Sequence, residues 1–142
     1  MELVIKRFNE LNTDELYEIL RVRAQIFVVE QDCAYQDIDS LDKSAYHIFL
    51  LDGAEIKAYL RIVHGMDEIK IGRVLTTERG KGYAGIILNE AIKTVKEKLH
   101  GEKIVIDAQT YAKGMYEKFG FKQTSEEFLE EGIPHVKMVA LI

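Results

Sequence analysis

The sequence predicts an α/β fold in which a mixed sheet is covered by helices, and two observations support this class. Segments whose apolar residues alternate, as in strands, are interleaved with segments whose apolar residues recur every three or four positions, as in helices. Along the chain these segments follow the order β-α-β-β-β-α-β-α-β-β, which is typical of an α/β sandwich rather than a barrel or a helical bundle. Because no repeat or low-complexity tract interrupts the 142 residues, we expect one domain over residues 1–142.

The N-terminal part contains the first strand and the first helix. Residues 1–8 alternate loosely as a strand, and Asn12 followed by Glu15 forms a capping-box pattern ahead of apolar residues at helical spacing. The first helix is therefore predicted over about residues 13–28. Residues 30–43 carry five acidic residues and no clean period, which predicts a long loop.

Three strands are predicted next. Residues 45–51 and 54–63 are strand-like, and Asp52-Gly53 between them is a strong signal for a two-residue hairpin turn. A third strand follows a turn at residues 65–68. Ile69 and Ile71 of this third strand would point to one face, but Val74 is out of step with them. This change predicts a β-bulge near Gly72-Arg73.

The C-terminal half alternates helices with strands. A long helix ends near Leu99, where His100-Gly101 closes it, and residues 103–108 form a buried type of strand. Residues 111–119 are predicted as a short helix that Gly120 ends. Two last strands are expected, one from Phe121 onward and one over residues 136–142.

Charge and cysteine content narrow the function classes. The net charge of −5 disfavours a nucleic-acid-binding protein, because such proteins gain much of their affinity from basic patches. No run of 18 apolar residues and no export signal occurs, so no membrane association is expected. Cys33 is the single cysteine and no zinc-site spacing is present, which predicts no metal and a reducing, cytoplasmic location.

A glycine-rich turn is the most informative feature for function. Gly80 and Gly82 allow several backbone N–H groups to converge at the positive end of the following helix, which is a typical anion site. The turn matches neither the Walker A pattern nor the dinucleotide fingerprint. The predicted ligand is thus a pyrophosphate of another kind, and the alternative is an ordinary tight turn.

Two motifs resemble the cofactor segments of GNAT acetyltransferases. Residues 79–84 (RGKGYA) match the family's Arg/Gln-x-x-Gly-x-Gly/Ala signature and follow the predicted bulged strand, as in the family. Residues 109–112 (QTYA) and 116–121 (YEKFGF) are similar to its second cofactor segment. A finer resemblance to the ElaA group covers nearly the whole chain, through residues 21–23, 27–31, 35–39, 47, 72–74 and 132–135. One departure is the short turn from residue 74 to residue 79, which lacks the proline often present there.

This resemblance implies a fold, a donor and a reaction. The fold would be a mixed, mostly antiparallel sheet with a β-bulge and splayed central strands, flanked by helices. Acetyl-CoA would donate its acetyl group to a primary amine by direct attack, without a metal. The acceptor would be a small-molecule amine or a protein amine, with no nucleic acid or membrane partner, and a homodimer is left open. The cofactor-binding residues would be Val74, Leu75, Thr76, Arg79, Gly80, Lys81, Gly82, Tyr83, Ala84, Gln109, Ala112 and Tyr116.

Proton transfer needs an acid and a base. Tyr116 is the candidate acid for the leaving thiolate, because many GNAT members have a tyrosine at this position; its structural alternative is a packing role against the sheet. Three residues are candidates for the base that deprotonates the amine: Glu30, ranked first, His47 and His135. Each has a structural alternative, as a surface acid or a hydrogen-bonded histidine.

Other residues and functions stay open at this point. Cys33 is a weak candidate nucleophile, because no cation next to it in the sequence would lower its pKa. An acidic rim that attracts a cationic amine is a further hypothesis, with the members Asp37, Asp39, Asp42, Glu130 and Glu131. The alternative functions are an acyl-homoserine-lactone synthase-like acyltransferase and a non-catalytic acyl-CoA-binding domain.

Overall fold

The structure is a computed structural model that describes residues 1–65 and 67–142. Within those residues the main elements are β1 (Glu2–Arg7), α1 (Thr13–Arg23), β2 (Tyr46–Asp52), β3 (Glu55–His64), β4 (Ile69–Thr76), α2 (Tyr83–Lys98), β5 (Lys103–Gln109), α3 (Lys113–Glu117), β6 (Lys122–Gln123), β7 (Phe128–Glu130) and β8 (Ile133–Leu141). The strands form one sheet in the order β1-β2-β3-β4-β5-β8-β6, and β7 pairs with β8. Only the pair β4 and β5 is parallel among these described strands. The predicted mixed, mostly antiparallel α/β fold is confirmed.

The sheet is covered by α2 on one face and by α1 on the other. On the α2 face, the helix residues Ile87 and Leu88 are fully buried in one apolar cluster with strand residues such as Leu60. On the opposite face, Ile19 of α1 packs in a second cluster with Tyr59 of β3. Because neighbouring strand residues point to opposite faces, a continuous apolar run supplies both clusters, as Ile48 and Leu50 do for the first and Phe49 for the second.

The first helix begins as predicted and continues further than predicted. The Asn12 side chain accepts a hydrogen bond from the Glu15 N–H at 2.7 Å, and the Glu15 carboxylate accepts one from the Asn12 N–H at 2.9 Å. After α1 the chain stays helical as a π-helical segment, Ala24–Glu30, so the helix ends two residues beyond the predicted end. No composition signal marks the wider π turns.

The bulge occurs where it is predicted, and the two-residue hairpin turn lies one residue later than predicted, at Gly53-Ala54, because Asp52 pairs with Glu55. Gly53 has a φ of +63° in the turn between β2 and β3. Between β3 and β4, Tyr59 pairs with Leu75 but Arg61 pairs with Gly72, so β4 carries one extra residue there. The turn at residues 65–68 includes Met66, which lies outside the described residues; the Gly65 N–H donates to the Glu68 carbonyl at 3.2 Å.

The C-terminal half differs from expectation in detail. The last strand begins at Ile133 rather than residue 136, and the segment after Phe121 forms two short strands, β6 and β7, instead of one. At the end of α2 the left-handed residue is His100, with a φ of +51°. A glycine is needed at position 101 for a different reason, which is close packing. A methyl group there would lie 2.6 Å from the Ile69 side chain.

The short helix near residue 115 ends as predicted. A 3₁₀ turn, Thr110–Ala112, leads into α3, and Gly120 follows with a φ of +92°. The Phe121 N–H then donates to the Tyr116 carbonyl at 3.3 Å, a bond typical of glycine-ended helices. None of the helices in the described part of the chain is long and apolar enough to cross a membrane.

Candidate active site

A cleft opens where β4 and β5 separate. The two strands are paired only at Lys70 and Val105. Beyond that point β4 continues to pair with β3 and β5 with β8, so the carboxyl-terminal halves of β4 and β5 have no pairing with each other. A cleft of about 1250 Å³ lies between them and extends to the glycine turn, α3 and the end of the π-helical segment. The splayed central strands are thus confirmed.

The glycine turn forms one end of this cleft. Gly80 and Gly82 have φ angles of +73° and +75°, which an L side chain disfavours, and Gly82 is the N-cap of α2. A methyl group at either glycine would have no described neighbour within 4 Å, so the backbone here faces open space. The first N–H groups of α2 lack intrahelical acceptors. Together these donors and the positive helix end fit a phosphate group.

Three basic side chains and an aromatic ring surround that end of the cleft. Arg79, Lys81 and Lys118 contribute to its lining. The Arg79 guanidinium lies 5.9 Å from the centre of the Tyr111 ring, which is 73% exposed. Tyr111 was not predicted as a site residue, because an exposed tyrosine in a short helix has no distinctive sequence pattern.

The segment after the bulge presents backbone and small side chains to the cleft. Val74 and Thr76 are half-buried and line the cleft. Leu75 also lines the cleft, but its side chain is 4% exposed and packs in the apolar cluster beneath α1. Tyr83 and Ala84, at the start of α2, also line the cleft.

Tyr116 lies in the cleft wall as a buried, protonated phenol. It is 5% exposed, and its ring meets that of Phe121 edge-on at 6.0 Å. Burial, with a smaller effect from Tyr111, raises the pKa of Tyr116 above its usual value. A tyrosine is already protonated at neutral pH, and burial favours the same neutral form while making the hydroxyl a weaker acid.

The three candidate bases have different surroundings. Glu30 is exposed at the end of the π-helical segment and lines the cleft. His135 also lines it; its Nδ1–H donates to the Ile133 carbonyl at 2.6 Å, and its Nε2 lies 3.5 Å from the Glu130 carboxylate. His47 is fully buried and is not among the residues that line the cleft.

His47 is engaged at both ring nitrogens. Its Nε2–H donates to the Asp42 carbonyl at 2.8 Å, and Nδ1 accepts a hydrogen bond from the Tyr59 hydroxyl at 2.7 Å. Burial lowers the pKa of His47, which keeps the ring neutral. This environment corresponds to the structural alternative for His47 and gives it no access to an acceptor in the cleft.

Gln109 is bound to a partner that sequence reasoning missed. Its side-chain amide exchanges two hydrogen bonds with that of Gln31, at 2.9 and 3.1 Å. The pair joins the end of β5 to the residue after the π-helical segment, across 78 positions of sequence. Ala112 lies beside them as a half-buried lining residue.

An ion-pair network borders the cleft, and three of its members, Asp39, Arg61 and Arg73, line it. It joins three arginines to three aspartates through contacts of 2.6 to 3.4 Å: Arg23, Arg61 and Arg73 with Asp37, Asp39 and Asp42. Arg61 lowers the pKa of Asp39 by hydrogen bonding. Burial raises the pKa of Asp42, but hydrogen bonds from Arg23 and Arg61 outweigh burial, so the net shift is downward.

This network changes the expected acidic rim. The carboxylates of Asp37 and Asp42 are buried against arginines and do not line the cleft, so their inclusion in a rim was wrong. Asp39, Glu130 and Glu131 do line it. Cys33 is buried, and its thiol lies 3.5 Å from the Glu131 carbonyl oxygen. Among the residues that the structure describes, no group of His, Cys, Asp and Glu is arranged to hold a metal ion.

Comparison with known proteins agrees with this geometry. A family model described as an acetyltransferase (GNAT) domain matches residues 13–142. A UPF0039 protein of Schizosaccharomyces pombe is 38% identical over 143 residues, which cover 97% of this chain and 95% of that protein. Protein ElaA of Escherichia coli is 34% identical over 137 residues, which cover 92% of this chain and 90% of ElaA.

Solved structures show the same relationship. The crystal structure of Escherichia coli ElaA has a TM-score of 0.94 at 32% identity, with 99% of each chain covered. That of an acyl-CoA N-acyltransferase from Pseudomonas aeruginosa has a TM-score of 0.92 at 28% identity, again with 99% of each chain covered. The fold is that of a GNAT acetyltransferase, and the chain belongs to that family. Within the family it is ElaA-like, as its sequence resemblance predicts.

Proposed function

We propose that this protein transfers an acetyl group from acetyl-CoA to a primary amine, and that residues 1–142 form one catalytic domain that acts in the cytoplasm. The observation that carries this proposal is the pair of left-handed glycines, Gly80 and Gly82, at the start of α2 and open to the cleft between β4 and β5. Family membership supports an acyl-CoA donor.

The donor would lie along β4. Backbone N–H groups at the glycine turn, assisted by Arg79 and Lys81, would hold its pyrophosphate. The polar backbone of β4 from Val74 to Thr76 would pair with the amide groups of the pantetheine arm, because β5 leaves that strand without a second neighbour there. Bound in this way, acetyl-CoA supplies an activated acyl group as its thioester.

The chain's own residues would then manage two protons. Tyr116, kept protonated by burial, would donate its proton to the departing sulfur. Glu30 or His135 would receive the proton of the acceptor ammonium, directly or through a water, since both line the cleft. On His135 the proton would go to Nε2, because Nδ1–H is committed to the Ile133 carbonyl, and Nε2 lies 3.5 Å from the Glu130 carboxylate.

Two alternative functions can be distinguished from acetyl transfer by experiment. A non-catalytic acyl-CoA-binding domain would not need a proton donor beside the cleft, so the effect of removing the Tyr116 hydroxyl on turnover separates it from an enzyme. An acyl-homoserine-lactone synthase-like enzyme would prefer long acyl chains delivered by a carrier protein.

The direct test is release of coenzyme A from acetyl-CoA across a panel of primary amines, with longer acyl-CoA donors in parallel. We expect amine-dependent release with acetyl-CoA. Binding of acetyl-CoA without release by any amine would favour the non-catalytic domain, and release only with long acyl donors would favour the synthase-like alternative.

A further inference from the structure

Arg73 holds an unfavourable backbone conformation at the bulge of β4. Its φ is +51°, in the left-handed region that non-glycine residues avoid. The extra residue of β4 lies at this position, between the pairs Arg61–Gly72 and Tyr59–Leu75. Such conformations persist only where surrounding contacts fix them. The contacts of the Arg73 side chain therefore matter for the shape of the bulge.

Those contacts come from the loop after the π-helical segment. Arg73 Nε donates to Asp37 Oδ1 at 2.8 Å, and its Nη2 donates to the Asp37 carbonyl at 3.0 Å. Nη2 also lies 3.4 Å from Asp39 Oδ2, and the guanidinium lies 5.5 Å from the centre of the Tyr35 ring. We call Arg73 with Asp37 and Asp39 the Arg73 clamp.

Asp37 is itself fixed to the helix on the other side of the loop. Arg23 of α1, which is fully buried, donates from Nε to Asp37 Oδ2 and from Nη2 to the Asp37 carbonyl, both at 2.9 Å. The Tyr35 hydroxyl lies 2.9 Å from Asp37 Oδ1. Asp37 is 7% exposed and is not among the residues that line the cleft. It therefore connects α1 to the bulge without reaching the cleft.

We propose that Asp37 is a positioning residue for catalysis: acting through Arg73, it holds the bulge of β4 in the left-handed conformation that turns the following backbone toward the cleft. The inference rests on the proposed function, because the backbone after the bulge is where a donor to the developing oxyanion is needed. Small misplacements of such a donor reduce the rate strongly. Arg73 and Asp39 also line the cleft, and we assign the clamp an effect on the geometry of β4 rather than a contact with either substrate.

A pair of substitutions at position 73 tests the clamp. Arg73→Ala and Arg73→Gly remove the same side chain, but only glycine reaches a φ of +51° without strain. We expect kcat in the order parent, Arg73→Gly, Arg73→Ala, with at least about a tenfold difference between the two variants. The Kd for acetyl-CoA should stay within about twofold of the parent in both. Equal losses in the two variants, with a raised KM for the amine, would indicate that Arg73 contacts the acceptor and would overturn the proposal.

Asp37→Asn then tests whether Asp37 acts through Arg73. In the parent we expect kcat per folded molecule to fall about tenfold with KM unchanged, and in the Arg73→Gly background we expect less than about a twofold further effect. If the two substitutions lower kcat independently, so that their fold-losses multiply in the double variant, the proposal is contradicted. Asp37→Asn removes a buried partner of Arg23 and could prevent folding. In that case the comparison of Arg73→Ala with Arg73→Gly still tests whether the clamp sets the conformation of the bulge.

Amide hydrogen exchange gives a readout that does not require turnover. The amides after the bulge should exchange at least about tenfold faster in Arg73→Ala than in the parent, with Arg73→Gly between them. Identical exchange in the two variants would overturn the proposal. Failure of the proposed function would look different, because the parent itself would then bind no acetyl-CoA.

Discussion

Tyr116 is the proposed proton donor to the departing sulfur, and it is tested by removing its hydroxyl. Tyr116→Phe keeps the buried ring and its edge-on contact with Phe121, and removes only the hydroxyl. We expect the chemical step to slow by about 10²–10⁴-fold, the usual effect of losing a positioned acid, with the free energy of unfolding and the Kd for acetyl-CoA little changed. Single-turnover measurements would show this directly.

The matched control for this substitution is Tyr111→Phe, which removes the hydroxyl of an exposed tyrosine that also lines the cleft. It should leave the chemical step unchanged. A Tyr116→Phe protein with the parent's single-turnover rate would make Tyr116 a packing residue, while the assignment of the donor site would stand.

Glu30 and His135 are the two base candidates that reach the cleft. Glu30→Gln should lower kcat at neutral pH by roughly 10²-fold or more, and leave the affinity for acetyl-CoA intact, because we assign this residue to the acceptor rather than to the donor. Glu131→Gln, a neighbouring exposed carboxylate in the same lining, is the control. Full activity in Glu30→Gln together with a collapse in His135→Asn would reverse the ranking.

At the scale of single residues, the sequence predicts groups that belong to local motifs and misses groups that need distant partners. Gly80, Gly82 and Tyr116 sit in short patterns, and all three line the cleft. The bond between Gln31 and Gln109 spans 78 positions, and only the folded sheet brings these amides together. His47 shows the opposite error. Its residue type made it a candidate base, but the sequence does not show that the side chain is buried away from the cleft.

The glycine turn can be tested as an element. Gly82→Ala adds a methyl group where the backbone faces the open cleft, and forces alanine to a φ of +75°. The strain should cost about 1–2 kcal/mol of stability, and the Kd for acetyl-CoA should rise at least about tenfold because the methyl group occupies the phosphate site. Isothermal titration calorimetry measures the Kd.

Gly53→Ala is the control that separates strain from binding. Gly53 has a similar φ of +63° and equally open surroundings, but it lies in the hairpin between β2 and β3, away from the cleft. This variant should lose comparable stability and bind acetyl-CoA as the parent does. Parent-like binding by Gly82→Ala would show that the turn does not hold the phosphates.

At the scale of elements, capping and turn chemistry made the predictions accurate. The Asn12 cap, the Gly53 hairpin and the bulge at Gly72-Arg73 each follow from local rules, and each is present. The π-helical segment Ala24–Glu30 and the strand β7 follow from tertiary contacts instead, so local propensity did not predict them.

For the whole molecule, the stability should fall as pH falls. Asp39 and Asp42 have lowered pKa values, so the stability they contribute is present above the unfolded value of about 3.9 and is lost as pH falls below it. His47 also has a lowered pKa, because burial and the nearby Arg23 and Arg61 disfavour its charged form and outweigh the opposite effect of Asp42. Its contribution is therefore lost as pH falls below about 6.5.

Urea unfolding at pH 7.5 and pH 5.5 isolates the histidine. The parent should be less stable at pH 5.5, with a slope of up to about 1.4 kcal/mol per pH unit from one group. His47→Gln removes the titration and should reduce that difference. His100→Asn, at an exposed position with a φ of +51°, should leave the pH dependence unchanged. If His47→Gln has the same pH dependence of stability as the parent, the buried His47 is not the group whose protonation destabilises the protein.

The whole account depends on the cleft between β4 and β5 holding acyl-CoA. The most direct measurement is titration of the ¹⁵N-labelled protein with acetyl-CoA, followed through its backbone amide signals. We expect saturable binding of one equivalent, with the largest changes at Gly80, Gly82 and the β4 residues Val74 to Thr76. Absence of saturable binding, or changes confined to residues outside this cleft, would contradict the account.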